Sequence, residues 1–195
     1  MQRILIKNTI KLIIGGIAIG LLHQYDLVLA ILLALKITHS FYKNIKKQTF
    51  SIALVIGFVI TGIIGIAVEH AGTSYGYWEY HDISRQVPLW IFFAWGAAFI
   101  LMYQIENQVY QATPNLSDSS KKYLTLFMVA FFPTLGEIIA INLGTWTYYV
   151  PYQILGVPFA AIVALIIIHS SVNALLGFTS KKFGIKDMVF NPQKM

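Results

Sequence analysis

The chain contains no cysteine and carries little charge. The absence of cysteine excludes disulfide bonds and thiolate chemistry. Only 11% of the 195 residues are Asp, Glu, Lys or Arg, which is too few to cover the surface of a soluble domain. The sequence also lacks a Gly-x-Ser-x-Gly motif, a phosphate-binding loop and a dinucleotide fingerprint, so nothing in it points to nucleotide or hydride chemistry.

Long apolar runs dominate the sequence. Hydrophobic residues make up 57% of the chain, and a bilayer core about 30 Å thick takes about 20 apolar residues per helix. The runs predict an all-α, multi-pass membrane protein with about six transmembrane helices, at 4–22, 26–42, 50–72, 88–109, 123–143 and 157–178. The first two could instead form one helix with a polar break. The basic N-terminus resembles a signal peptide, but no small-x-small cleavage site follows, so a retained first span is expected.

The basic residues predict the orientation. With six spans, Lys36 lies within the second span and Arg85 is alone on one side of the membrane. The others share the opposite side: Arg3, Lys7, Lys11, Lys43, Lys46, Lys47, Lys121, Lys122, Lys181, Lys182, Lys186 and Lys194. The positive-inside rule therefore predicts that both termini are cytoplasmic, and topology rather than nucleic-acid binding explains the net charge of +6. The expected surroundings are the lipid bilayer of the cell membrane, the inner membrane in a bacterium, and a homo-oligomer stays an open alternative.

Two stretches repeat the same features, EHAGTSYGYWEYHDISRQVP at 69–88 and EIIAINLGTWTYYVPYQILGVP at 137–158. Each begins with Glu, reaches Gly-x-Trp-x-Tyr after the same interval and ends on Val-Pro. Four residues before the two glutamates stand Gly65 and Pro133, which loosen or kink membrane helices. The pattern predicts a parallel internal repeat, in which spans three and four match spans five and six. Because Trp and Tyr also belong at bilayer interfaces, a purely architectural role for the aromatic element stays open.

The repeat divides one integral membrane domain, residues 1–195, into four parts. We predict an N-terminal hairpin at 1–48, a first repeat at 49–110, a second repeat at 121–180 and a basic cytoplasmic tail at 181–195.

The two repeated glutamates are the candidate catalytic residues. Glu137 lies about 10 Å inside its span at 1.5 Å per residue, whereas Glu69 is closer to the end of its helix. An ionised carboxylate at such a depth costs several kcal/mol unless it is paired, so the group faces protein or water rather than lipid. A protonated carboxyl held there is a suitable proton donor.

Other polar residues give weaker signals. His169 and Asn173 share one face of span six at i, i+4 spacing, and either helix packing or substrate binding would account for them. Glu106 is expected at a solvated helix end. His70 and His81 flank the first loop without metal-ligand spacing, so neither a metal nor another cofactor is expected.

The segment from about residue 65 to residue 100 resembles the membrane-embedded carotenoid biosynthesis proteins of the bisanhydrobacterioruberin hydratase type. That family carries a membrane Glu, glycines leading into an aromatic-Gly-x-Tyr-x-Tyr element, a Val-Pro that opens the next helix and a Trp within it. The matching positions are Glu69, Gly72, Tyr75, Gly76, Trp78, Tyr80, Val87, Pro88 and Trp95. Trp78 stands where the family usually has Tyr, and the chain is shorter than typical members.

The resemblance implies a lyase that hydrates an isoprenoid double bond, or a related isomerase or cyclase. Such chemistry begins with protonation of the C=C, for which Glu137 and Glu69 are acid and partner base. Aromatic faces would line the cavity and stabilise a carbocation, and with His169 and Asn173 they complete the predicted substrate-binding set: Trp78, Tyr80, Trp95, Trp146 and Tyr148. The alternatives are a small transporter with a proton- or cation-binding glutamate pair and a non-catalytic membrane scaffold.

Overall fold

The computed structural model describes residues 2–46 and 49–191, and it places a helix at each of the six apolar runs. The helices are α1 (Gln2–Leu22), α2 (Asp26–Lys46), α3 (Ile52–Ser74), α4 (Ile91–Ala112), α5 (Asp118–Asn142) and α6 (Phe159–Lys182). The all-α class is therefore confirmed, and residues 2–46 form two helices joined by a short turn. Lys47 and Lys194, two of the basic residues that predict the orientation, lie outside the described residues.

Five of the six described helices are long and apolar enough to cross a membrane, as expected for a multi-pass membrane protein in contact with lipid. The exception is α4, whose second half contains Gln104, Glu106, Asn107 and Gln108. This helix packs against α1, α2, α3 and α5 and has the most buried residues of the described helices, so the protein rather than lipid surrounds much of it. Central packing explains how α4 tolerates polar residues that a lipid-facing helix would not.

Local sequence fixes several helix ends. The side chains of Ser51 and Ser117 cap α3 and α5 by accepting hydrogen bonds from Ala53 N and Ser120 N. Pro158 precedes α6, a position at which its missing N–H costs nothing. Pro133, the predicted kink site, lies inside α5, and the helix continues through it to Asn142.

The α3–α4 interface depends on glycines that face aromatic rings. A Cβ added at Gly57 would overlap the ring of Phe99, and one added at Gly96 would overlap the ring of Phe58. Gly65 was expected to loosen α3, but in the structure it makes room for the ring of Trp95 on α4. Small residues thus let these two helices approach closely, as is common between membrane helices.

Two short antiparallel strand pairs join the loops at one end of the bundle, which we call the loop face (residues 75–90 and 143–158). Strand β1 (Trp78–Tyr80) pairs with β2 (Trp146–Tyr148), and β3 (Gln153–Ile154) pairs with β4 (Val157–Pro158). The sequence had not predicted these strands. Gly76 and Gly144 each lie two residues before β1 or β2 with φ of 68° and 86°, a backbone region that favours glycine. The repeated glycine therefore allows the turn between each helix and the strand that follows it.

The chain folds back after α6 at the opposite end of the bundle. Asp187 is 6% exposed and accepts hydrogen bonds from Val189 N at 2.8 Å and Phe190 N at 2.9 Å. The hydroxyl of Tyr103 on α4 donates to Asp187 Oδ2 at 3.0 Å, and the Phe190 ring packs in the core. The predicted tail at 181–195 is thus folded as far as Asn191, and 192–195 lie outside the described residues.

Candidate functional site

Glu69 lies near the C-terminal end of α3, at the centre of three hydrogen bonds from aromatic side chains. Its Oε2 accepts from Trp78 Nε1 at 2.8 Å and from the Tyr80 hydroxyl at 2.7 Å, and its Oε1 accepts from Trp95 Nε1 at 3.0 Å. An indole N–H can only donate, so both carboxyl oxygens are used as acceptors. These donors come from the following strand and the next helix, and they hold the carboxyl in one position.

Glu137 lies near the C-terminal end of α5 with far fewer partners. Its Oε2 accepts one hydrogen bond, from the Tyr148 hydroxyl at 3.3 Å. Among the described residues no side chain or backbone group hydrogen-bonds its Oε1, and the residue is half-buried. Glu69 to Tyr80 and Glu137 to Tyr148 span the same interval of 11 residues, so the same Glu–Tyr contact occurs twice. The two carboxyls differ in how many other donors reach them.

The β1–β2 pair brings these two Glu–Tyr contacts together. In its antiparallel register Trp78 pairs with Tyr148, Glu79 with Thr147, and Tyr80 with Trp146. The rings of Trp78 and Tyr148 meet edge to face with centroids 5.4 Å apart, and those of Tyr80 and Trp146 lie 5.8 Å apart. Four aromatic rings from two distant parts of the chain therefore form one cluster next to both glutamates.

The tyrosines of this cluster remain hydrogen-bond donors. Burial, reinforced by the carboxyl of Glu69 beside it, raises the pKa of Tyr80 well above its ordinary value. Burial and the nearby Glu137 raise the pKa of Tyr148 in the same way. Each hydroxyl therefore keeps its proton at neutral pH and can donate a hydrogen bond to the adjacent glutamate.

His81 connects the two loops. Its backbone N–H donates to Thr145 O at 3.0 Å, its Nδ1 lies 2.8 Å from Gly144 O, and its Nε2 lies 3.1 Å from Thr147 Oγ1. Both ring nitrogens thus have partners in the second loop, which continues the contact made by the strands. In the described part of the chain no three His, Asp or Glu side chains converge as a metal site would require.

A second polar cluster lies deeper in the bundle. Glu106 on α4 is 0% exposed, its Oε1 lies 2.6 Å from His169 Nε2, and both its oxygens accept from Asn173 Nδ2 at 3.2–3.3 Å. The expectation of a solvated end for Glu106 is therefore wrong. Helix α4 continues to Ala112, so Glu106 is well inside it, and α6 covers its carboxyl.

The structure brings together most, but not all, of the predicted site residues. Glu69, Trp78, Tyr80 and Trp95 converge, and the strand pair adds the second-repeat residues Glu137, Trp146 and Tyr148. His169 and Asn173 instead join Glu106, which lies 11 residues after Trp95 on α4, about 16 Å along the helix axis. Glu106 was not predicted from the sequence as their partner. The available signal was that Glu106 and His169 are ionisable residues in two apolar spans, where such groups usually pair with one another.

The glutamates and the aromatic cluster together can hold a proton next to an apolar ligand. One carboxyl is fixed by three donors, the other has an oxygen without a partner in the described residues, and the rings around them offer negative faces. Comparison of the chain with protein-family models, with curated proteins and with solved structures gives no match.

Proposed function

We propose that the chain is an integral membrane enzyme that protonates a C=C bond of a hydrophobic isoprenoid or carotenoid-like lipid. Glu137 is the acid, Glu69 is the partner base, and the outcome is hydration, cyclisation or isomerisation. The observation that carries the proposal is the asymmetry of the two carboxyls. Glu69 is held by Trp78, Tyr80 and Trp95, whereas Glu137 has one hydrogen-bond partner among the described residues, at 3.3 Å.

The acid must reach the substrate, and Glu137 is the carboxyl that can. Its Oε1 has no protein partner among the described residues, so a double bond can approach it without displacing a hydrogen bond. The apolar membrane around α5 disfavours an ionised carboxylate, so we take the protonated carboxyl as the resting form of Glu137. A positioned carboxylic acid of this kind typically accelerates proton transfer about 10²–10⁴-fold.

The proposed reaction balances without a cofactor. The Glu137 proton forms a C–H bond with one alkene carbon, using the π electrons, and leaves a carbocation at the other carbon. In hydration, water attacks that carbon to form the C–O bond, and the proton lost from the bound water passes to a carboxylate of the pair. In isomerisation or cyclisation, loss of a carbon-bound proton after rearrangement or ring closure restores the acid. The rings of Trp78, Tyr80, Trp146 and Tyr148 stabilise the cation through their negative faces.

The proposal includes the architecture around the site. In this proposal a parallel repeat relates residues 49–110 to residues 121–180. The protein lies in the cell membrane, and its six spans place both termini in the cytoplasm. The matching Glu–Tyr hydrogen bonds at 11-residue spacing and the pairing of equivalent strands support the repeat. The loop face is then the outer face, and the site lies in the outer half of the bilayer.

A second candidate is a small transporter that carries protons or cations. The buried contact between Glu106 and His169 favours it, because ionisable residues inside a membrane bundle commonly mark ion pathways. Its test is uptake by liposomes that contain the protein. Glu106→Gln would abolish transport, whereas it would leave lipid conversion by the enzyme in place.

Lipid profiling of cells tests the enzyme. Cells that produce the intact chain should show a changed set of isoprenoids or pigments by mass spectrometry, and Glu137→Gln should restore the profile of cells without the chain. Glu106→Gln is the matched control, because it makes the same substitution at a glutamate of the second polar cluster, about 16 Å along α4 from Trp95. Equal isoprenoid profiles with and without the chain would remove the proposal, and loss of folded protein in Glu137→Gln would assign Glu137 a structural role.

A further inference from the structure

A cavity of about 420 Å³ opens on the loop face, and the proposed proton transfer does not use it. Its lining includes three aromatic residues, Trp78, Tyr80 and Tyr149, and three polar or charged ones, Glu79, Arg85 and Gln86. The volume is within the range of small-molecule sites, about 300–1,000 Å³.

The cavity and the Glu69 carboxyl share a wall. Trp78 and Tyr80 line the cavity, and the same two side chains donate the 2.8 Å and 2.7 Å hydrogen bonds to Glu69. A ligand in the cavity therefore lies against two of the residues that hold the Glu69 carboxyl. This position is suited to the polar end of a molecule whose chain reaches the site from the membrane.

Two opposite charges line the cavity without pairing with each other. In the described part of the chain Glu79 and Arg85 form no salt bridge. The Arg85 Nε lies 3.6 Å from Asp26 Oδ2, and one Glu79 oxygen accepts from the Tyr149 hydroxyl at 2.9 Å. The Arg85 side chain is 59% exposed, and a guanidinium has five N–H donors. Both groups therefore keep hydrogen-bonding capacity for a ligand, one as acceptor and the other as donor.

The charge of the loop face decides which polar group fits. Within residues 23–26, 75–90 and 143–158 the sequence has three carboxylates, Asp26, Glu79 and Asp82, but Arg85 is the one Lys or Arg. A phosphate would meet one guanidinium among three like charges. A hydroxyl is neutral, and it can donate to Glu79 and accept from Arg85 at the same time.

We propose that this cavity binds the hydroxyl-bearing end of an isoprenoid alcohol. The inference rests on the proposed function and makes the substrate an amphiphile rather than a pure hydrocarbon. Its hydroxyl lies between Glu79 and Arg85, and its first carbons lie against the rings of Trp78 and Tyr149. The chain then continues into the bilayer, past the glutamates.

Ligand binding to the purified protein in nanodiscs tests the assignment. The titrants are geranylgeraniol, geranylgeranyl phosphate and a hydrocarbon of the same chain length. The concentration of each is given as a mole fraction of the lipid, and binding is followed by the change in tryptophan emission. We expect the alcohol to bind about tenfold more tightly than either competitor, because charged groups form the strongest hydrogen bonds with hydroxyls. Glu79→Ala and Arg85→Ala should each remove this preference. Tyr152→Phe, at an 83% exposed tyrosine that does not line the cavity, should keep it.

Three outcomes overturn the assignment: equal binding of alcohol and hydrocarbon, tighter binding of the phosphate, or a preference that survives both alanine variants. Glu137→Gln separates this test from that of the proposed function, because Glu137 does not line the cavity. This variant should keep the alcohol preference while conversion is lost. If no lipid is converted by any variant but the preference holds, the enzyme proposal fails and the binding site remains.

Discussion

Trp78 and Tyr148 face each other across the β1–β2 pair, and each donates a hydrogen bond to a different glutamate. Their ring centroids are 5.4 Å apart, Trp78 reaches Glu69 at 2.8 Å, and Tyr148 reaches Glu137 at 3.3 Å. Helices α3 and α4 with the loop between them form one helical hairpin, and α5 and α6 with their loop form another; the contact joins these two hairpins. Neither hairpin alone contains both carboxyls or the whole aromatic cluster, so the site depends on the strands that hold the two hairpins together.

Removing the two tyrosine hydroxyls should have unequal effects. Tyr148→Phe deletes the one hydrogen bond that Glu137 receives from the described residues and should lower turnover about two- to tenfold, since a hydrogen bond between neutral groups is worth about 0.5–1.5 kcal/mol and each 1.36 kcal/mol is a factor of ten. Tyr80→Phe leaves Glu69 with two indole donors and should cost less. Product formed per amount of folded protein is the measurement, and equal losses in the two variants would contradict the asymmetry.

Gly72 should not tolerate a larger residue. A Cβ at this position would overlap the Trp78 ring, so Gly72→Ala should displace Trp78 from Glu69 and destabilise the protein by about 1–3 kcal/mol. Gly15 is the matched control on α1, because beyond its chain neighbours and the local helix backbone no atom of the described residues lies within 4 Å of a Cβ added there. Thermal unfolding in detergent measures both variants. Equal thermal stability of the Gly72→Ala and Gly15→Ala variants would contradict this prediction, because it would show that Trp78 can move without destabilising the protein.

The Glu106 cluster should behave as a buried pair. Glu106→Leu leaves His169 and Asn173 without their acceptor and should destabilise the folded state by about 3–5 kcal/mol. Glu106→Gln, which keeps an acceptor oxygen, should cost much less. The double variant Glu106→Leu with His169→Leu should be more stable than the sum of the two single changes predicts. Additive losses in thermal unfolding would show that the contact does not connect α4 to α6 energetically.

The absence of cysteine makes the orientation testable by single substitutions. Ser84 and Asn115 are both exposed, in the loops before and after α4. A membrane-impermeant maleimide should label Ser84→Cys in intact cells and Asn115→Cys only after the cells are opened. Labelling of both variants from the same side would mean that α4 does not cross the membrane and would overturn the six-span arrangement.

The helices could be predicted from the sequence because the membrane sets their length. Span 157–178 corresponds to Phe159–Lys182, and span 50–72 to Ile52–Ser74, with differences of two to four residues. The largest shift is at α5, which begins at Asp118 rather than 123 because the Ser117 cap extends it through a polar first turn. The start of α5 cannot be predicted from hydropathy, because hydropathy does not report the hydrogen bonds of a helix cap.

The site could be predicted only in part. The spacing from Glu to Tyr repeats in the sequence, and it corresponds to two real hydrogen bonds. The strand register depends on how the loop after α3 meets the loop after α5, and the contact from Trp95 depends on how α3 packs against α4; no local pattern encodes either. The burial of Glu106 does not follow from the apolar run, which ends near this residue, because α4 continues to Ala112 and α6 covers the carboxyl.

The register of β1 and β2 is self-complementary. If the two hairpins are exchanged, the Trp78–Tyr148 pair becomes the Tyr80–Trp146 pair and the reverse, while Glu79 and Thr147 remain at the centre. A chain with one hairpin would expose an unpaired strand edge at the membrane surface, and a second copy could satisfy that edge through an isologous contact. The β1–β2 contact thus has the symmetry of a two-fold dimer contact, although both strands belong to one polypeptide. Because the two halves of the contact are not identical chains, Glu69 and Glu137 can have different surroundings, which the identical subunits of a symmetric dimer could not provide.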